Sequence, residues 1–181
     1  IKVDKDVKVI EKFCGIPDMN LENLSPVQLG SGFTKSYLKS KDKNSISKGF
    51  AIDIEESFAT MSNKEIIIAE GTGHPGVGGI VGLSNAHVVN LINADILYIS
   101  GGGIGKALDM LEVDLSYFLY MKSNLRGILF NRLIPDKIAT VKEYINEKLL
   151  QEMYPDFKHP LSIYGYLPSI DDLPNPSMAV V

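Results

Sequence analysis

Asp95-Ile-Leu-Tyr-Ile-Ser100-Gly-Gly-Gly-Ile-Gly-Lys106 is the stretch on which the reading of the fold turns. An apolar run of strand length stops at three glycines, and behind them Leu108, Leu111, Leu115 and Leu119 recur at helical spacing. Strand, glycine loop and helix in that order form the repeating unit of a parallel sheet, because each parallel pairing needs a long crossover.

Working outward, the unit repeats on both sides. Downstream, Gly127 to Phe130 is another apolar run, ending at Asn131. Asp136 to Glu152 follows as an expected helix with Ile138, Val141, Ile145 and Leu149 inward, and Ser162 to Leu167 supplies one more strand. Upstream, Glu65 to Ala69 reads as a strand buried on both faces, leading through Glu70 into the glycine-rich loop Gly71-Thr-Gly-His-Pro-Gly-Val-Gly-Gly79. Ser84 to Ile92 is the helix behind it. Ser45 to Met61 places Ile46, Phe50, Ile54, Phe58 and Met61 on one helical face, Pro26 to Gly32 is short and extended, and Asp4 to Phe13 is a first helix with Gly15 after it. The expected architecture is a doubly wound α/β domain, residues 1–181, with a mainly parallel sheet and helices on both faces.

Bulk properties narrow the classes of function. The 181 residues suffice for one core, and 45% hydrophobic against 22% charged residues is ordinary globular usage, which argues against a disordered or fibrous chain. A net charge of -4 without a lysine or arginine block disfavours a nucleic-acid partner. With Cys14 as the single cysteine, an intrachain disulfide is excluded and a cysteine-built zinc site disfavoured. Apolar stretches such as Ile66 to Ala69 and Ile96 to Ile99 are far shorter than the roughly 20 residues of a membrane span, so no membrane partner and a cytoplasmic location are expected.

In open α/β sheets ligands bind beyond the carboxyl ends of the strands, which singles out Glu70, Gly101, Asn131 and Leu167-Pro168. A carboxylate at Glu70, directly after an apolar strand, needs water, donors or a cation; magnesium is the natural hard partner, and capping of the loop amides is the alternative. Gly71 and Gly73 leave amides open to an anion, and His74 beside them is either an acid-base or donor group or an exposed loop histidine. Gly102 and Gly103 lie in a stretch shaped like a phosphate loop. It departs from the Walker pattern, however, with Ser100 where a glycine belongs and Ala107 where a serine or threonine would hold magnesium. It is therefore read as a substrate-side or structural loop. Asn131 is either a purine-reading amide or a turn asparagine.

The order Ile-Ala-Glu70-Gly-Thr-Gly-His, Leu-Ser-Asn85-Ala, Ile-Ser-Gly-Gly-Gly-Ile-Gly and Gly-Ile-Leu-Phe-Asn131-Arg resembles the dethiobiotin synthetase and cobyrinic acid a,c-diamide synthase group of P-loop ATPases. By that resemblance Glu70 is a magnesium ligand, Asp6 (with Asp4 as its rival) the second acidic ligand, Asn131 the adenine reader, and Pro168 part of the turn closing on the base. Pro26 to Thr34 resembles the segment beside the organic substrate, which makes Thr34, with His74, Gly102 and Gly103, a substrate-side candidate. The family's first strand, phosphate loop, first helix and second strand would precede Ile1, so an N-terminally incomplete P-loop NTPase-like fold, cut at both ends, is expected. The implied activity of the complete protein is an ATP- and Mg2+-dependent ligase acting on a small carboxylate-type substrate, with a homodimer left open and the fragment itself inactive. The alternative is a nucleotide- or ligand-sensing module of the kind fused to phosphotransacetylase-like enzymes.

Overall fold

The computed structural model describes residues 5–14 and 20–170. The chain divides into two units, Ile1–Ile92 and Asn93–Val181, each built around its own packing.

The second unit carries the sheet. Ile96–Gly101 forms β1, Leu125–Leu133 forms β2 and Ser162–Pro168 forms β3; they pair in that order, parallel throughout. Helix α5 (Ile104–Tyr120) makes the first crossover, and α6 (Ile138–Tyr144) and α7 (Glu147–Met153) make the second. The leucine stripe works as the spacing requires: Leu111 and Leu115 are fully buried, together with Ile128 and Phe130 of the central strand. Phe130 stacks on Tyr166 at 5.4 Å, and Tyr98 meets Phe118 edge-on at 6.4 Å. On the other face of β1, Leu97 and Ile99 are more than half exposed.

One long expected helix, Asp136 to Glu152, is in fact two. The break falls at Ile145-Asn146 because Asn146 caps α7: its Oδ1 accepts the Leu149 N–H at 3.0 Å while its Nδ2 donates to the Glu143 carbonyl at 2.9 Å. The restart shifts the helical phase, so that Leu150 is buried where Leu149 was expected.

Among the described residues the first unit is helical: α1 (Lys5–Cys14), α2 (Phe33–Lys39), α3 (Lys43–Ala59), a 3-10 turn at Gly79–Val81 and α4 (Asn85–Leu91). Helix α2, unanticipated from the sequence, follows directly on the Pro26 to Gly32 stretch. Its Phe33 lies 5.7 Å from both Tyr37 and Phe50, and the Tyr37 hydroxyl is 2.9 Å from Ser47 Oγ. The expected α3 face of Ile46, Phe50, Ile54, Phe58 and Met61 is half-buried along its length.

The expected strand Glu65 to Ala69 does not form. The segment makes no ladder bonds, and Ile66 and Ile68 are 80% and 90% exposed. A strand exists only through backbone bonds to a neighbour, and no described backbone pairs with this one.

Candidate functional site

In the first unit the candidate residues sit on a loop with a defined shape. Ser84, fully buried, caps α4 by accepting the His87 N–H, and its Oγ also lies 2.7 Å from His87 Nδ1. Asn85, the first residue of α4, then reaches back: its Nδ2 donates to the carbonyls of Thr72 and His74, both at 2.9 Å. Its own N–H donates to the Val77 carbonyl at 3.1 Å. The turn tightens further because Val77 N–H donates to His74, Gly79 N–H to Gly76 and Leu83 N–H to Gly78. Glycine is required at Gly78, whose φ of 89° is left-handed and where a Cβ would overlap the Leu83 carbonyl oxygen.

These bonds occupy the Thr72 and His74 carbonyls at the start of the loop. Its amides, Gly71 to His74, find no partner among the described residues. Gly73, at φ 67°, turns the chain between them. Glu70 is exposed, and no hydrogen bond or ion pair engages it among the described residues. His74 is exposed too, and its Nδ1 accepts the Gly76 N–H at 3.2 Å, a local turn contact that needs Nδ1 unprotonated. Thr34 is exposed in the first turn of α2. The side chain of Asp6, like Asp4, lies outside the described residues.

The second unit gathers its own candidates at the carboxyl end of the sheet. Gly101 pairs with Asn131, and Leu133 pairs with Pro168, so the three strand tips stand side by side. A Cβ on Gly101 would come within 2.8 Å of the Asn131 carbonyl oxygen, which explains why β1 ends in glycine. Asn131 Oδ1 accepts the Arg132 N–H at 2.9 Å, and Arg132 takes the left-handed φ of 56°. That is the turn role weighed for Asn131, and it leaves the Nδ2 donor without a partner among the described residues. Gly102, at φ 99°, lies against the aliphatic chain of Lys106. Gly103 caps α5 through its backbone alone.

Behind these tips, Tyr98 donates to the buried Asp114 at 2.5 Å and ties β1 to α5. Burial, then the hydrogen bond and the negative charge of Asp114, raise the Tyr98 phenol well above its ordinary value. Tyr154 is raised in the same way by burial and by Glu112, which accepts from it at 3.1 Å.

Two concavities lie elsewhere in the first unit. One of about 530 Å³ is lined by Lys39 to Asn44 between α2 and α3, and one of about 340 Å³ includes Tyr37, Lys48 and Leu83. Neither includes a residue singled out from the sequence. Among the described residues no cluster of three His, Cys, Asp or Glu side chains can enclose a metal. Glu70, a single exposed carboxylate, does not fit a metal held by protein alone; magnesium, which keeps several waters, needs only one or two carboxylates beside substrate phosphates.

The family model for the AAA domain matches residues 1–177. The chain belongs to the AAA domain family. This AAA domain falls in a P-loop NTPase-like, nucleotide-binding family related to dethiobiotin synthetase, and its parallel sheet with interleaved helices agrees with that fold. No curated protein and no solved structure matches the chain. No helix among the described residues of the AAA domain is long and apolar enough to cross a membrane.

Asn85 is the residue that sequence reasoning quoted without a role. Its signal was its place: an amide side chain at the first turn of the helix that follows a glycine-rich loop, within reach of that loop's carbonyls.

Proposed function

We propose that this AAA domain belongs to an ATP- and Mg2+-dependent ligase of the dethiobiotin synthetase type, acting on a small carboxylate or carbamate. The observation that carries the reading is the Glu70–His74 segment: an exposed, unengaged carboxylate followed by a loop held at its Thr72 and His74 carbonyls and with its amides open among the described residues. In such a reaction a carboxylate oxygen of the substrate takes the γ-phosphoryl group, releasing ADP. An amine nitrogen then attacks the acyl carbon, and phosphate leaves with the electrons of the broken C–O bond.

Magnesium, when bound, neutralises the phosphate charge that grows during transfer. Glu70 holds it, and the amides of Gly71 and Gly73 take up phosphate oxygens. Resemblance alone assigns Asn131 and Pro168 to the base, and Thr34, His74, Gly102 and Gly103 to the substrate. The assignment of Asp6 as a second ligand rests on resemblance alone.

Within residues 1–181 no Walker loop occurs, since Ser100 and Ala107 stand where it needs Gly and Ser/Thr. A second reading is a sensing module that binds nucleotide without turning it over, for which the same open amides would serve. Calorimetry of ATP binding, with and without Mg2+, on the chain and on Glu70→Gln decides the first point. We expect Mg2+ to strengthen binding to the chain and not to the variant; equal Mg2+ dependence removes Glu70 from the site. Phosphate release separates the two readings, because the sensing module binds ATP and releases none.

A further inference from the structure

We infer that Asn85 is the positioning residue of the phosphate-binding loop, turning the Gly73 amide toward an anionic group by occupying the Thr72 carbonyl of the same peptide unit and bracing the loop at the His74 carbonyl. The inference rests on the reading of that loop proposed above. Both hydrogens of the Asn85 amide are committed, one to Thr72 and one to His74, each at 2.9 Å. Within a trans peptide the C=O and N–H point opposite ways, so the bond to the Thr72 carbonyl faces the Gly73 N–H away from Asn85, while the His74 carbonyl, which precedes Pro75, anchors the end of the loop. Gly71 shares in the arrangement: a Cβ there would meet Asn85 Cγ at 3.3 Å, so a side chain at 71 makes the clamp give by a few tenths of an ångström. Asn85 also sets the far end of the loop, since its own N–H bonds Val77. One residue thus fixes both ends of the turn. The chemistry expected to use it is a phosphate or diphosphate group accompanied by a divalent cation.

The test exploits the donor count. Asn85→Asp keeps the shape but puts acceptors where two donors stood, facing two carbonyl oxygens. Nitrogen-15 NMR of the chain is followed during titration with pyrophosphate in Mg2+. The amides of Gly71, Thr72, Gly73 and His74 shift in the wild type. In Asn85→Asp and Asn85→Ala the apparent Kd weakens about 10- to 30-fold, as expected for the loss of two hydrogen bonds. Lowering the pH to about 4.5 restores part of the binding in Asn85→Asp relative to Asn85→Ala, because a protonated carboxyl regains one donor. Gly71→Ala, which crowds the Asn85 amide without replacing it, weakens binding at least threefold and keeps the inference testable if position 85 cannot be changed without unfolding.

A merely structural Asn85 would lower the melting temperature while the folded variants bound pyrophosphate within twofold of wild type, with no difference between Asp and Ala at acid pH. That result overturns the inference and leaves the phosphate loop standing. Failure of the wild-type amides to shift at all overturns the loop's assignment, and with it the role of Asn85.

Discussion

Tyr98→Phe removes one oxygen and tests how the sheet of the second unit is held to its first crossover helix. The hydroxyl donates to Asp114, which is 4% exposed on α5, so the change leaves a buried carboxylate with one donor fewer. A hydrogen bond to a charged acceptor contributes about 1.5–3 kcal/mol, more than a neutral one, and the ring itself is kept, so the loss should fall in that range. The pH dependence gives a second, independent reading. A tyrosine whose folded pKa is raised keeps its proton when the unfolded chain has begun to release it, so its contribution is complete below the unfolded value of 10.0 and is lost as pH rises beyond it. Tyr98, Tyr154 and Tyr166 are all raised, the last by burial and by the Glu147 charge, so stability should be level up to about pH 10 and fall above it. Tyr98→Phe should make that fall shallower by at most about 1.4 kcal/mol per pH unit. Because the chain has no tryptophan, urea unfolding is best followed by far-ultraviolet circular dichroism. A loss below about 0.5 kcal/mol together with an unchanged alkaline limb would refute the pair as a structural tie.

Gly78→Ala forces a side chain into a left-handed backbone at φ 89° and against the Leu83 carbonyl, so a loss of more than about 2 kcal/mol is expected in urea unfolding, with faster amide exchange through residues 74–83. Gly101→Ala places a Cβ 2.8 Å from the Asn131 carbonyl oxygen and should both destabilise β1 and weaken ATP binding through Asn131; unchanged affinity in the folded variant would detach Asn131 from the base. Asn146→Ala deletes the cap and the bond to Glu143, costing about 1–2 kcal/mol, with the Leu149 amide losing exchange protection first.

Much of the second unit could be read from residues 95–119, because a strand period of two and a helix period of 3.6 meet there across three glycines and cannot be exchanged. The leucine stripe and the parallel neighbours at Leu125–Leu133 and Ser162–Pro168 follow from that signal. What escaped was set by single side-chain bonds. Asn146 splits a periodic helix because its amide bonds forward and backward at once, a choice the apolar spacing does not register. Helix α2 is only seven residues long, and its reason for existing is the packing of Phe33 on Tyr37 and Phe50 rather than propensity. For the candidate site the residue types were legible but their roles less so. At Asn131 the turn bond to Arg132 coexists with an amide donor left open, and at His74 the observed partner is the neighbouring Gly76.

Glu65 to Ala69 is where sequence and structure disagree most, and the disagreement separates two assignments that the motif had joined. Three consecutive isoleucines have the composition of an interior strand, yet Ile66 and Ile68 are among the most exposed apolar side chains described. A segment without ladder bonds does not aim the residue that follows it, so the direction of Glu70 is weakly determined by its own chain. The loop is determined differently, by the Asn85 clamp on the Thr72 and His74 carbonyls, which sets the Gly73 amide, and by the left-handed glycines at 73 and 78. The magnesium role of Glu70 and the phosphate role of the loop therefore stand on separate physical grounds. Indifference of Glu70→Gln to Mg2+ would remove the ligand and leave the amide loop intact, whereas wild-type amides that ignore pyrophosphate would deprive Glu70 of the phosphates that a shared magnesium ion requires.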